Sequence, residues 1–178
     1  THELFHLYQY SYTQFKNSWY LESLANWADR AVKVDVTYST KNLPSLPQNN
    51  QDFNKQIYKQ SYTHIWRRLF LINDSDILEV PEKFKERTYI GGQKVFLDDE
   101  WRGTKFVLKF MQSMEKESDL ITKQRNWPKY HWTEKDQRLP EWNPIIFGLI
   151  QKQLQQPQYD QPEIQFMRTV DLKTIKSE

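Results

Sequence analysis

Cysteine is absent from the 178 residues, and glycine and alanine are scarce, at four and three. The first absence excludes disulfide scaffolds, thiol nucleophiles and cysteine-ligated zinc or iron–sulfur sites together, and is compatible with a reducing compartment. The second leaves Gly91-Gly92 as the one local glycine cluster, so no phosphate-cradling or dinucleotide-binding turn is expected. Long apolar runs are missing too. Ile65 to Ile72, interrupted by Arg67-Arg68, and Ile145 to Ile150, entered through Asn143-Pro144, fall far short of the roughly 20 residues a bilayer span needs. No basic start followed by an apolar run marks an uncut secretory signal, and a transit peptide removed before Thr1 would leave no trace.

What is abundant is aromatic and amide side chains. Seven Trp, ten Tyr and ten Phe make 15% of the chain, beside 17 Gln and nine Asn. Large rings bury much area per residue, so a real core is expected despite only 38% hydrophobic content. The net charge of +2 argues against a surface wholly given to nucleic acid. The charge is nonetheless blocked: residues 73–100 carry eight acidic and four basic side chains, residues 101–138 nine basic and five acidic. An acidic connector before a basic helix favours docking to a particular partner.

Apolar residues at three- and four-residue steps predict a helix over residues 3 to 32, with Leu4, Leu7, Tyr8, Tyr12, Phe15, Trp19, Leu24 and Trp27 on its buried side. Val32 to Tyr38 alternates as an edge strand or extended arm would, and Lys41 to Gln51, with Pro44 and Pro47, is the best linker candidate. Asp52 is placed to cap a second helix running to about Ile72, and Asn73-Asp74-Ser75-Asp76 to end it and cap a short one. Pro81 suits the first turn of a helix over Glu82 to Arg87, and Gly91-Gly92 a tight turn or hairpin. Trp101 to about Arg125, stopped by Trp127-Pro128, is the clearest helix, and Ile145 to Gln155 the last. Beyond Pro157 the Gln- and Pro-rich chain is expected as an extended tail that lies on something else or is mobile. The fold class is all-α, irregular, with about four main helices and extended arms at both ends: residues 1–50 as helix and linker, 51–155 as helical core, 156–178 as tail.

The sharpest chemical motif is His2-Glu3-Leu4-Phe5-His6, an H-E-x-x-H that on a helix sets two imidazoles one turn apart for zinc, with the Glu as base. It lacks the downstream His of the metzincin pattern. The third-ligand Glu of thermolysin-like enzymes falls about twenty residues after the second His, where this chain has Asn26; Glu22 stands four residues short. At the start of the chain, where a helix frays, two surface histidines are the favoured account and a zinc hydrolase the least favoured alternative. His64 and His131 stand alone, no Ser sits in a nucleophile elbow, and Asp98, Asp99 and Glu100 are expected to complement the dipole of the following helix rather than hold a cation. No catalytic residue, cofactor or metal is therefore assigned. Trp66-Arg67-Arg68, Trp101-Arg102 and Arg125-Asn126-Trp127 pair the residues most enriched at protein–protein hot spots, and so many indoles are hard to house in a small core; these seven residues other than Asn126 are the expected partner interface.

From about Tyr62 to Leu154 the order of features resembles subunit 7 of the mitochondrial cytochrome bc1 complex, the small matrix-side subunit also called the ubiquinone-binding protein. Leu69 to Ile77 stands where that family has a Leu-Gly-Leu and acidic-pair pattern, with Phe70 in place of the Gly. Glu79 to Arg87 and the Gly91-Gly92 loop fill the next interval. Arg102 through Trp127-Pro128-Lys129-Tyr130 matches a long basic helix closed by a Trp, and Leu139 to Pro144 the entry to a terminal helix. The resemblance implies a non-catalytic structural or assembly subunit of respiratory complex III, peripheral on the matrix side of the mitochondrial inner membrane, packed on cytochrome b and core subunits, with no span of its own. An accessory subunit of complex I or the ATP synthase, and an RNA-bound protein of the mitochondrial ribosome, are the alternatives of the same physical type.

Overall fold

The computed structural model describes residues 1–29, 45–57, 63–71, 77–96, 100–171 and 173. It is mostly helical, in the order α1 (His2–Tyr12), α2 (Ser18–Asp29), α3 (Asn50–Ile57), α4 (Thr63–Leu71), β1 (Ile77–Glu79), α5 (Glu82–Lys85), β2 (Glu100–Arg102), α6 (Thr104–Gln124), α7 (Glu134–Gln137), α8 (Trp142–Leu154) and α9 (Gln165–Thr169). Among the described residues no helix is long and apolar enough to cross a membrane. The alternating run Val32 to Tyr38 and the Asn73 to Asp76 cap lie outside the described residues.

The single helix expected over residues 3 to 32 is two helices, broken at Thr13. Thr13 is extended, its hydroxyl accepts the Phe15 N–H at 3.2 Å, and Lys16 N–H reaches Gln137 O at 2.7 Å. What draws the chain out of the helix is Phe15. Its ring is fully buried, 5.5 Å from Trp132 and 5.6 Å from Trp142, a site that a continuing helix could not reach. Asn17 completes the clamp, its amide N–H groups donating to Leu139 O (3.1 Å) and Asn143 Oδ1 (2.9 Å). Beyond the turn α2 runs back along α1, Phe5 meeting Trp27 edge-on at 5.9 Å.

The second predicted helix begins earlier than Asp52. Asn49 is its cap, with Oδ1 accepting the Asp52 N–H at 2.9 Å while its amide donates back to the Asp52 carboxylate at 2.8 Å. Its far part is α4, and residues 58–62 between them lie outside the described set. Trp101 does not open a helix. It pairs with Leu78 in a two-stranded antiparallel ribbon, β1 with β2, and α6 starts only after Gly103. Gly103 sits at φ +87°, and a Cβ there would lie 2.4 Å from the Phe70 ring, so both the turn and the packing demand glycine. The expected turn at Gly91-Gly92 is present, closed by Gly92 N–H to Tyr89 O at 2.9 Å, with Gly92 at φ +85°. Pro144 falls in the first turn of α8, where a missing N–H costs nothing.

α6 is the spine of the core. Phe106, Val107, Phe110, Met111 and Met114 are all at most 2% exposed and meet Trp66 and Phe70 of α4, Tyr20 of α2 and residues of α8. The segment from Pro157, expected as an extended tail that lies on something else or is mobile, instead folds onto the chain's own core. Short 3-10 turns and α9 carry Tyr159, Ile164, Met167 and Val170 into it, all nearly inaccessible. One hydrophobic cluster thus runs from Phe15 to Val170. Gly103→Ala is expected to cost about 2–4 kcal/mol, combining a left-handed alanine with over-packing against Phe70, measurable as a lower denaturation midpoint.

Candidate metal centre

The α1–α2 hairpin brings three ligand-type side chains to one point. His2 and His6 are one turn apart on the inner side of α1, and Glu22 faces them from α2. His2 Nε2 lies 3.2 Å from His6 Nε2 and 3.2 Å from Glu22 Oε2, and Glu22 Oε1 is 3.6 Å from His6 Nε2. Ligand atoms at about 2.0–2.2 Å from a tetrahedral zinc stand about 3.3 Å from one another. The two short contacts of Glu22 use different oxygens; with one ligand atom from each residue the three atoms lie within 4.8 Å of one another, so the group is gathered as a metal site's would be and would have to draw in to reach tetrahedral spacing. The expectation of two surface histidines is corrected accordingly: His6 is only 7% exposed, and Glu22, set aside on its spacing, is the third member of the group.

The polarity of the group is set by a fourth side chain. Gln9, fully buried, turns its amide N–H to Leu21 O at 3.0 Å, because only a donor can face a carbonyl. Its Oε1 then faces His6 Nδ1 at 2.8 Å, and an acceptor there requires the proton on Nδ1. The Nε2 lone pair of His6 is left pointing at His2 and Glu22. With the His6 Nε2 lone pair free, an N–H on His2 Nε2 can be donated to it or to Glu22 Oε2, both at 3.2 Å, and a cation would take the place of that proton. Glu22 is half exposed, so the group opens to solvent on one side.

Tyr10, one further turn along α1, stacks on His6 with ring centroids 6.0 Å apart, and Lys16 Nζ lies 4.6 Å over its ring. Burial first, then the Glu22 carboxylate, raise its phenol above the ordinary tyrosine value; Glu3 adds to this and Arg138 opposes it. Glu3 itself is exposed in the first turn, next to His2.

The residues expected at a partner interface are largely engaged within the chain. Trp66 is 2% exposed among Phe70, Phe106 and Phe110. The Arg67 and His64 side chains lie outside the described set. Arg68 makes a forked pair with Glu163, at 2.7 to 3.1 Å, and Glu163 also accepts the Leu46 N–H, so the guanidinium ties α4 to the C-terminal segment. Trp101 is half-buried, stacked 5.3 Å from Trp27, whose indole N–H donates to the Arg102 carbonyl at 2.9 Å. Arg125 lies 5.2 and 5.3 Å over the Trp127 and Trp142 rings and pairs with Glu141 at 2.6 Å; Trp127 is half-buried against Trp132. All seven indoles are thus buried or half-buried in the chain's own packing, and the two with part of their surface open are Trp101 and Trp127. His131 is exposed; Asp98 and Asp99 lie outside the described residues, and Glu100 belongs to β2 rather than to a helix start.

Comparison with known proteins finds no matching family model, no matching curated protein and no matching solved structure.

The Arg68 guanidinium holds the Glu163 carboxyl below its ordinary value, against the opposing effect of burial. A carboxylate with a depressed folded pKa contributes stability above its unfolded value that is lost as pH falls through the folded one. Stability is therefore expected to drop on acidification below about pH 4, and Glu163→Gln to flatten that acid limb in denaturation midpoints taken across the range.

Proposed function

We propose that this chain is a metal-dependent hydrolase of the H-E-x-x-H type, in which His2, His6 and Glu22 hold a divalent ion, zinc by donor chemistry, and Glu3 is the general base. The observation that carries the reading is the convergence of three ligand-type side chains, with one ligand atom from each within 4.8 Å of the others, two of them from a motif that also supplies the base. Nitrogen and carboxylate donors without sulfur suit zinc, and three protein ligands leave the open position a catalytic site needs. When bound, the ion would polarise a carbonyl and acidify a water.

The protein's own part is orientation and proton transfer. Glu3 follows His2 directly and is exposed, so its carboxylate can accept a proton from water arriving at the open side and pass it to a leaving amine or alcohol. Tyr10, stacked on His6, forms one wall beside the group. The chemistry fits hydrolysis of an amide or ester carbonyl.

The docking-subunit reading drawn from residues 62–154 concerns a different part of the chain, since α1 and α2 lie in the 1–50 segment that the resemblance does not cover. One zinc per chain is expected by elemental analysis of purified protein, with His6→Ala losing it. Glu3→Gln is expected to keep the metal and lower kcat on a quenched peptide or ester substrate about 10²- to 10⁴-fold. A wild-type chain that takes up no zinc, and co-purifies with subunits of a respiratory complex, would overturn the hydrolase and favour the docking subunit.

A further inference from the structure

We propose that Gln9 is a positioning residue for the metal centre, one neutral amide that commits the His6 ring to ligation through Nε2 and sets its distance from Glu22. The proposal rests on the metal reading of this site and deepens it.

Three observations meet at this side chain. Gln9 is fully buried, so its amide must find partners inside the protein. Its Oε1 takes the His6 Nδ1–H at 2.8 Å, and its Nε2 donates to the carbonyl of Leu21, the residue before Glu22, at 3.0 Å. One amide therefore links a ligand on α1 to the backbone that carries a ligand on α2. Were Gln9 only a buried polar group finding partners, any two acceptors or donors nearby would do. Here the partners are the ring nitrogen opposite the ligating one and the peptide next to the third ligand. Rotating the His6 ring by a half-turn would set a carbon and not Nε2 toward His2, and would break the Gln9 bond; the amide opposes that rotation. The choice of an amide also has a charge consequence. A carboxylate, the frequent partner of a metal-bound imidazole, would add negative charge beside the ion, whereas Gln9 orients the ring without adding any.

The test uses the full chain loaded with Co²⁺, whose visible absorption bands report the ligand field, alongside competition for Zn²⁺. Wild-type protein is expected to bind Co²⁺ with the strong bands of a four-coordinate site. Gln9→Met, close in size but without the two hydrogen bonds, is expected to weaken binding about 10- to 100-fold and to shift the bands at an unchanged helical circular-dichroism signal. Gln9→Glu, which keeps an acceptor facing Nδ1 but sets a carboxylate oxygen against Leu21 O, is expected to hold the His6 proton on Nδ1 and to recover only part of that loss. Long-range ¹H–¹⁵N spectra of the wild type supply a readout that needs no variant, and the His6 proton is expected on Nδ1 both without metal and with Zn²⁺. Equal affinity and identical bands in a folded Gln9→Met protein, or a His6 proton on Nε2, would overturn the role of Gln9 while leaving the metal site standing. A wild-type chain that binds neither Co²⁺ nor Zn²⁺ would remove the site itself, and the proposal with it.

Discussion

Phe15 leaves the line of the first helix because a pocket between Trp132 and Trp142 removes its ring from water. Burying a phenylalanine side chain is worth about 1.5–3 kcal/mol, enough to outweigh the few helical hydrogen bonds given up at Thr13–Asn17, several of which are replaced. Thr13 bonds Phe15, Lys16 bonds Gln137, and Asn17 bonds Leu139 and Asn143. The metal-type cluster is a consequence of that bend. In one straight helix His6 and Glu22 would stand about 24 Å apart, at about 1.5 Å per residue. In the hairpin their ligand atoms are 3.6 Å apart.

The rest of the aromatic complement works in the same way. Trp27 stacks on Trp101 and touches Phe70; Phe70 touches Trp66 and Phe106; Phe106 meets Tyr159 from the C-terminal segment. Apart from the Trp66–Phe70 pair within α4, these contacts join elements distant in sequence, so the protein is stapled by aromatic pairs where small aliphatic side chains are few. Indole N–H groups are largely satisfied inside: Trp19 to Asn143, Trp132 to Thr122, Trp142 to Asp136 O. A high count of Trp therefore signals internal joints in this chain before it signals a surface for others.

Helical periodicity made α6 and α8 legible, and proline chemistry placed the entry at Pro81, whereas α8 begins at Trp142, three residues before the expected Ile145, with Pro144 inside its first turn. The Gly91-Gly92 turn followed from backbone freedom alone. The break at Thr13 did not show, because Tyr12, Phe15 and Trp19 keep helical spacing across it and the rings that claim Phe15 lie more than a hundred residues on. The one local hint was a cluster of capping residues, Thr13, Asn17 and Ser18, inside an otherwise periodic stretch. Glu22 was missed for the same reason: a ligand count along the chain assumes a connection length that the tight turn shortens. Gly103 was likewise legible only with Phe70 in place, since the ring that forbids a Cβ there comes from α4.

Asn17 and Trp19 are fastened to Asn143, and Asn17 also to Leu139, across separations of more than 120 residues. The three ligand-type side chains precede by more than a hundred residues the frame that bends them together. Such non-local closure slows assembly relative to an ordinary helical bundle. On the ribosome His2 and His6 thus emerge long before they have a working geometry, and a nascent or truncated chain lacking α8 lacks the frame that shapes the cluster.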